Sequence, residues 1–190
     1  MKYEAITAGL TYHIYNRGNN GDIVFSEADN YEYFLFLMRR HLLPVSDIYA
    51  YCIMSNHFHI ILRVKEETDL PENFRNRPSQ AFSNMFNGFA KAMNIRTGRT
   101  GSLFEKNFER KLISDESNLR NVISYVHCNP VSHGVCKHFS EYTYSSIKEY
   151  IGGKKQLIEQ SFPLQLFDGI DSLITFHESF QNRKESHGVN

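Results

Sequence analysis

Four short stretches of the chain have the hydrophobic patterns that are typical of β-strands. Residues 11–15 alternate between polar and apolar side chains, whereas residues 48–54 and 57–64 are mostly apolar. Only Ser55 and Asn56 separate the last two stretches, and so short a turn predicts a β-hairpin. Residues 107–113 are predicted to form a fourth strand.

Between these stretches, apolar residues recur at the three- and four-residue spacing of amphipathic helices. The first predicted helix is capped by Ser26 or Asp29 and ends before Pro44. The second has an apolar stripe between Phe82 and Met93. The third is predicted to end at Pro130, to be capped by residue 114 or 115, and to bury Leu119, Val122, Ile123 and Val126.

The elements follow the order βαββαβ, with one further helix after the last strand. This order predicts an α+β fold of the ferredoxin-like kind, an antiparallel sheet with helices packed on one face, plus an extra helix that carries a tyrosine. We expect one domain over residues 1–150. Residues 151–190 are predicted to form a helical appendage, with a linker at 152–155, a helix from Asp171 and a frayed tail from Arg183.

Composition narrows the classes of protein that remain. The formal net charge is zero, which argues against a protein that coats duplex DNA by charge alone. Residues 88–113 nevertheless hold six cations against two carboxylates, a pattern that fits either a short nucleic-acid footprint or a solvated face. Three cysteines form no CxxC pair, and neither a signal segment nor a membrane span is evident, so we expect a soluble, cytoplasmic protein.

His57 and His59 flank Phe58 at the start of the third predicted strand. Side chains alternate between the two faces of a strand, so the two imidazoles are predicted to share one face while Phe58 enters the core. Two such imidazoles can bind one metal ion if a third donor is near. The alternative is a pair of solvated strand histidines.

Tyr125 and Asn129 are one helical turn apart, at the edge of the apolar stripe of the third helix. From that edge they can face the sheet surface that bears the histidines. Asn129 is then a candidate third metal ligand, and Tyr125 a candidate nucleophile whose phenolate a nearby cation would stabilise. The alternative is a boundary aromatic and a polar residue at a helix end.

Five segments of the chain, in order, resemble the HUH single-tyrosine transposases, and specifically the REP-associated tyrosine transposases. They are YHIYNRGNN (12–20), MSNHFH (54–59), GRTGSLF (98–104), YVHCNPV (125–131) and YSS (144–146). The similarity covers roughly residues 10–150, the predicted domain.

The resemblance implies a ferredoxin-like catalytic domain that acts on single-stranded DNA near hairpins. It assigns His57 and His59 as metal ligands with Asn129 as the third, Mg²⁺ or Mn²⁺ as the ion, and Tyr125 as the nucleophile that becomes linked to a 5′-phosphate. Candidate phosphate contacts are the basic residues Arg17, Arg96, Arg99, Lys106 and Arg110.

Two other functions remain open from sequence. One is a hairpin or single-stranded DNA-binding module without catalysis, and the other is a metallohydrolase that uses water in place of Tyr125. The sequence also leaves open whether the protein is a monomer or a homodimer with exchanged tyrosine helices. It does not identify the DNA target, or the role of residues 151–190.

Overall fold

A computed structural model describes residues 5–105, 107–152 and 157–186 of the protein, with residues 184–186 described by their backbone alone. Its sheet has four strands: β1 (Thr11–Arg17), β2 (Ser46–Ile53), β3 (His57–Val64) and β4 (Glu109–Ile113). The strand order is β2-β3-β1-β4, and every neighbouring pair is antiparallel. The predicted ferredoxin-like sheet is therefore confirmed.

Six α-helices accompany the sheet within the described residues. They are α1 (Ala28–His41), α2 (Ser79–Thr97), α3 (Glu116–Ser132), α4 (Ile147–Gly152), α5 (Ser161–Leu166) and α6 (Ile170–Ser186). Short 3₁₀ turns lie at Asn19–Gly21, Glu67–Asp69 and Glu72–Phe74. The first two helices and the four strands give the predicted βαββαβ order, with α3 as the additional helix.

The main core lies between the sheet and the helices α1 and α2. Phe58 of β3 is fully buried, and its ring centroid lies 4.9 Å from that of Phe34 on α1 and 5.2 Å from that of Phe86 on α2. Burying a phenylalanine side chain contributes roughly 1.5–3 kcal/mol to stability. This packing orients β3, because each neighbour of Phe58 along the strand must point to the opposite face.

Helix α3 covers that opposite face. The side chain of His57 on β3 contacts Asn129 on α3, while Phe58 contacts α1 and α2. The sheet therefore lies between two helical layers, and the helix that carries Tyr125 packs on the histidine side.

One predicted helix end and one predicted helix cap are wrong. Pro130 does not end α3, which continues to Ser132. A proline in the last turn removes only its own N–H donor, and the carbonyl oxygens of Asn129 and Pro130 still accept from the backbone N–H groups of His133 (3.1 Å) and Val135 (2.9 Å). Helix α1 begins after Glu27 without a side-chain cap, whereas Asp115 caps α3 as predicted by accepting from the N–H of Asn118.

The C-terminal segment packs against α3. Helix α6 confirms the helix predicted near Asp171, but it continues through residues 183–186, where a frayed tail was predicted. Of the predicted linker, Gly152 is the last residue of α4, and residues 153–155 lie outside the described residues, as do residues 187–190. The division into units 1–150 and 151–190 stays a prediction, and its boundary falls inside α4.

None of the described helices combines the length and the apolar character that crossing a membrane requires.

Acid should destabilise the fold through His177 of α6. Burial lowers the pKa of His177 to about 4, below the ordinary value near 6.5 that it regains on unfolding. The contribution of the neutral His177 ring to the free energy of unfolding is therefore complete above about pH 6.5, and it is lost as the pH falls through 4. We expect the free energy of unfolding to fall by up to about 3 kcal/mol across this window from this residue, as measured by urea denaturation.

The control for this experiment is His177→Leu, which has no group to titrate at this position. The difference in stability between wild type and variant should shrink as the pH falls from 6.5 to 4. Parallel pH profiles for the two proteins would contradict the assignment.

Candidate active site

His57 and His59 lie on the α3 side of the sheet, as the alternation of β3 predicts. Their ring centroids are 5.3 Å apart, with the ring planes inclined at 76°. In the register of β1 and β3, Arg17 pairs with His57 and Tyr15 pairs with His59. Four side chains from two central strands are thus brought to one face of the sheet.

Asn129 reaches this face from α3. It is fully buried, and its Oδ1 lies 2.8 Å from Nε2 of His57. Among the described residues, no three His, Cys, Asp or Glu side chains cluster as metal ligands. The amide oxygen of Asn129 therefore stays the predicted third protein donor of a metal site at this position.

The hydrogen-bond chemistry of His57 fits a cation. Its Nδ1 lies 2.7 Å from Oδ1 of Asn56, and its Nε2 faces the Oδ1 of Asn129. Burial lowers the pKa of His57, which favours the neutral ring with a single N–H. When that N–H donates to Asn56, Nε2 and the Asn129 oxygen face each other as two lone pairs, and a cation that both can bind removes this repulsion.

A third histidine, His13 of β1, supports His59. Nε2 of His13 lies 2.9 Å from Nδ1 of His59. Burial lowers the pKa of His13 to about 4 and that of His59 well below 6.5, so both rings are neutral near pH 7. With Nδ1–H of His59 donating to His13, Nε2 of His59 presents a lone pair, the form that a metal ligand requires.

Tyr125 stands beside these histidines. Its ring centroid lies 5.4 Å from that of His59 and 6.2 Å from that of His13, nearly edge-on to both. Burial raises the pKa of Tyr125, with the amide of Asn129 acting in the opposite direction. The hydroxyl is consequently protonated at neutral pH, and forming the phenolate would need help from a nearby positive charge.

Two open cavities meet at Tyr125. One, of about 400 Å³, is lined by residues that include His57, His59 and Arg17. The other, of about 470 Å³, shares Tyr125 and His59 with the first and adds Lys111. Tyr125 on α3 and the histidine face of the sheet are therefore both accessible to a ligand.

The basic residues that were predicted to contact phosphate lie in different parts of the structure. Of the four that the structure describes, Arg17 lines the first cavity. Arg96 forms ion pairs with Glu27 and Asp29, and Arg99 lies 3.0 Å from Asp22. The fifth, Lys106, lies outside the described residues.

Strand alternation separates Arg110 from Lys111 on β4. Arg110 pairs with the fully buried Ile14, so it lies on the α1 and α2 side, with its guanidinium carbon 4.5 Å from the centre of the Phe108 ring. Lys111 pairs with His13 on the site side, and its Nζ lies 5.6 Å from the centre of the Tyr15 ring.

Sequence reasoning missed His13, Tyr15 and Lys111 as members of the site. A signal for the first two was present, since His13, Tyr15 and Arg17 recur at every second position of β1. It became informative only through the pairing of β1 with β3.

Comparison with known proteins tests the resemblance to the REP-associated tyrosine transposases. No model of an established protein family matches the sequence. A Haemophilus influenzae protein named "Putative REP-associated tyrosine transposase" is 26% identical over 102 residues, which are 51% of this chain and 56% of the relative. The chain thus spans about half the length of the curated relative that it matches.

Solved structures extend the similarity to the fold. A REP-associated tyrosine transposase bound to a REP hairpin aligns with a TM-score of 0.59 at 18% identity, over 85% of this chain and 95% of that one. A bacterial tRNA(His) guanylyltransferase-like protein in complex with GTP aligns over 74% of this chain and 73% of its own, at 10% identity and a TM-score of 0.40, too low to support an argument. The fold is that of a ferredoxin-like α+β protein with a tyrosine helix across its sheet. The resemblance to the REP-associated tyrosine transposases is confirmed.

If the site binds a divalent metal ion, removing the acceptor on His13 should weaken that binding. In His13→Leu, Nδ1–H of His59 loses its partner and the ring is free to turn. Loss of such an outer hydrogen bond typically lowers metal affinity 10- to 100-fold, and we expect a decrease of about tenfold for Mn²⁺, measured by isothermal titration calorimetry.

His13→Gln is the matched control, because its amide oxygen can replace the ring acceptor. It should retain most of the affinity. Equal Mn²⁺ binding by wild type and His13→Leu would show that His13 does not orient His59.

Proposed function

We propose that this protein is a transposase-like DNA strand transferase that cleaves and rejoins single-stranded DNA near hairpins. The observation that carries the proposal is that Tyr125 and the donor set His57, His59 and Asn129 meet beside one cavity. A nucleophile and a metal site this close favour attack on a phosphodiester over simple binding.

Hairpin or single-stranded DNA is the partner that we propose. The solved structure with the same fold is described as bound to a REP hairpin, and the curated relative carries the name of a transposase. In this chain, Arg17 and Lys111 are cations beside the two cavities that meet at Tyr125. With a net charge of zero, the footprint on DNA is expected to be short.

His57, His59 and Asn129 would hold a divalent cation, Mg²⁺ or Mn²⁺. Such an ion would withdraw charge from a phosphoryl oxygen. The protein's part is to keep both imidazoles neutral by burial and to fix the amide oxygen of Asn129 against His57. Imidazole nitrogen suits softer ions better, so the substrate's phosphate oxygens are expected to favour the harder ones.

In the proposed step, the hydroxyl oxygen of Tyr125 attacks the scissile phosphorus. The new Oη–P bond forms as the bond from phosphorus to the 3′-oxygen breaks, which leaves a 5′-phosphotyrosine and a 3′-hydroxyl. The phenol loses one proton to solvent and the departing 3′-oxygen takes one up. A 3′-hydroxyl from another strand can reverse the reaction without ATP, because the covalent link retains the energy of the broken bond.

The cytoplasmic location stays a prediction. The choice between a monomer and a homodimer stays open.

Tyr125→Phe should abolish the covalent adduct while leaving hairpin binding within about threefold of wild type, because the change removes one hydroxyl and little volume. The measurement is a denaturing gel of protein incubated with Mn²⁺ and labelled hairpin oligonucleotides that carry single-stranded flanks. Tyr33→Phe, which removes a phenol hydroxyl outside both cavities, is the control and should still form the labelled protein band.

The same gel separates the two other functions. Cleavage at the wild-type rate without any adduct would indicate a metallohydrolase that uses water. Binding of every hairpin tested with no cleavage of any would indicate a DNA-binding module, and either result would overturn the proposal.

His57→Ala should lower Mn²⁺ affinity and the cleavage rate together, each by more than tenfold, since it removes a direct ligand. Calorimetry and single-turnover cleavage at limiting metal measure the two effects. His138→Ala, at a partly exposed histidine outside both cavities, controls for the loss of an imidazole. Unchanged activity of His57→Ala at limiting metal would refute the ligand assignment.

A further inference from the structure

A buried chain of hydrogen bonds ties the tyrosine helix to α6 and to β2. It runs through His127 of α3, His177 of α6 and Ser146, none of which has any exposed surface. Nδ1 of His127 lies 2.8 Å from Nε2 of His177, and Nε2 of His127 lies 2.8 Å from Oγ of Ser146. This chain lies apart from the cavities that hold the candidate site.

The donor and the acceptor in each hydrogen bond of this chain can be assigned by starting from His177. Nδ1 of His177 lies 2.8 Å from the carbonyl oxygen of Leu173, which can only accept, so this nitrogen bears the hydrogen. In a neutral ring, Nε2 of His177 then accepts from Nδ1–H of His127. Nε2 of His127 accepts in turn from the hydroxyl of Ser146, whose oxygen receives the backbone N–H of Tyr51 at 2.8 Å.

Both rings are fully buried, and in this assignment each has one N–H donor and one lone pair. Burial lowers the pKa of His177 to about 4, so that ring is neutral near pH 7. The chain then has one donor and one acceptor at every link.

His127 lies midway between Tyr125 and Asn129 in α3. At about 100° per residue, its side chain points some 160–200° away from both, toward α6 and away from the histidine face. A hydrogen bond that fixes His127 therefore fixes the rotation of α3 about its axis, and with it the direction of Tyr125 and Asn129. The other end of the chain bonds to Tyr51, which is adjacent to Cys52, the β2 partner of His59.

We propose that His177 is a positioning residue for the strand-transfer reaction: by accepting the hydrogen bond of His127, it sets the rotation of α3 and so aims Tyr125 and Asn129 at the histidine face. This rests on the proposed function. It assigns residues 157–186 the task of holding the tyrosine helix in register with the sheet.

The chain offers a matched pair of variants at this position. His177→Leu keeps a similar volume but removes the acceptor, whereas the amide oxygen of His177→Gln can occupy the place of Nε2. A role in packing alone would be served as well by leucine as by glutamine. Thr175→Ala, an exposed change two residues away on the same helix, controls for altering α6.

The first readout is single-turnover adduct formation at saturating Mn²⁺ and hairpin DNA. A displacement of reacting groups by about 1 Å can cost 100-fold in rate; we expect His177→Leu to slow the step by about tenfold or more, and His177→Gln to restore it to within about threefold of wild type. Hairpin affinity should be unchanged in all three variants, because the substitutions lie outside the cavities. Equal rates for wild type and His177→Leu, or equal slowing by leucine and glutamine, would overturn the proposal.

The second readout does not depend on activity. The protein is labelled with 3-fluorotyrosine, and the ¹⁹F resonance that is absent from Tyr125→Phe identifies Tyr125. His177→Leu should shift this resonance and weaken its paramagnetic broadening by Mn²⁺, while His177→Gln should preserve both. An unchanged Tyr125 resonance in His177→Leu would overturn the positioning role.

The two readouts separate this proposal from the proposed function. If wild type forms no adduct, the proposed strand transfer fails, and the ¹⁹F spectra alone still decide whether His177 orients Tyr125.

If His177→Leu does not fold, Ser146→Ala tests the same chain of hydrogen bonds from its other end. It should slow adduct formation several-fold and shift the Tyr125 resonance, and the absence of both effects would overturn the proposal.

Discussion

The burial of Phe58 is the constraint on which the rest of the site depends. Its contacts with Phe34 and Phe86 hold β3 in one orientation, and the two-residue period of a strand then places His57 and His59 on the other face. A register shift of one residue would reverse this arrangement. The hydrophobic effect that stabilises the fold thus also selects the surface on which the proposed metal ion would bind.

Burial on that second face sets the protonation states. Burial lowers the pKa values of the sheet residues His13, His57 and His59, and burial also raises the pKa of Tyr125 on α3. Neutral imidazoles are suited to binding a cation, and a protonated phenol needs a cation to lose its proton. The same burial therefore favours neutral imidazoles that could hold the proposed cation and a phenol whose ionisation that cation would assist.

Two faces of helix α3 make specific polar contacts, one with the sheet and one with the C-terminal segment. One face presents Tyr125 and Asn129 to the sheet, and the reverse face presents His127 to α6. If α3 contributes a nucleophile and a metal ligand, as proposed, its rotation about its axis must be fixed as well as its distance from the sheet. Polar contacts fix rotation more specifically than apolar packing, because hydrogen bonds are directional.

The sequence alone determined the features that depend on local periodicity. The strands, the shared face of His57 and His59, and the separation of Tyr125 and Asn129 by one helical turn all follow from spacing along one element. Only the tertiary structure decided which distant residues join them. His13 and His177 enter through pairing or packing between elements, and the acidic neighbours of Arg96 are likewise distant in sequence. The physical reason is that strand register and helix rotation are set by the whole core, which no single segment encodes.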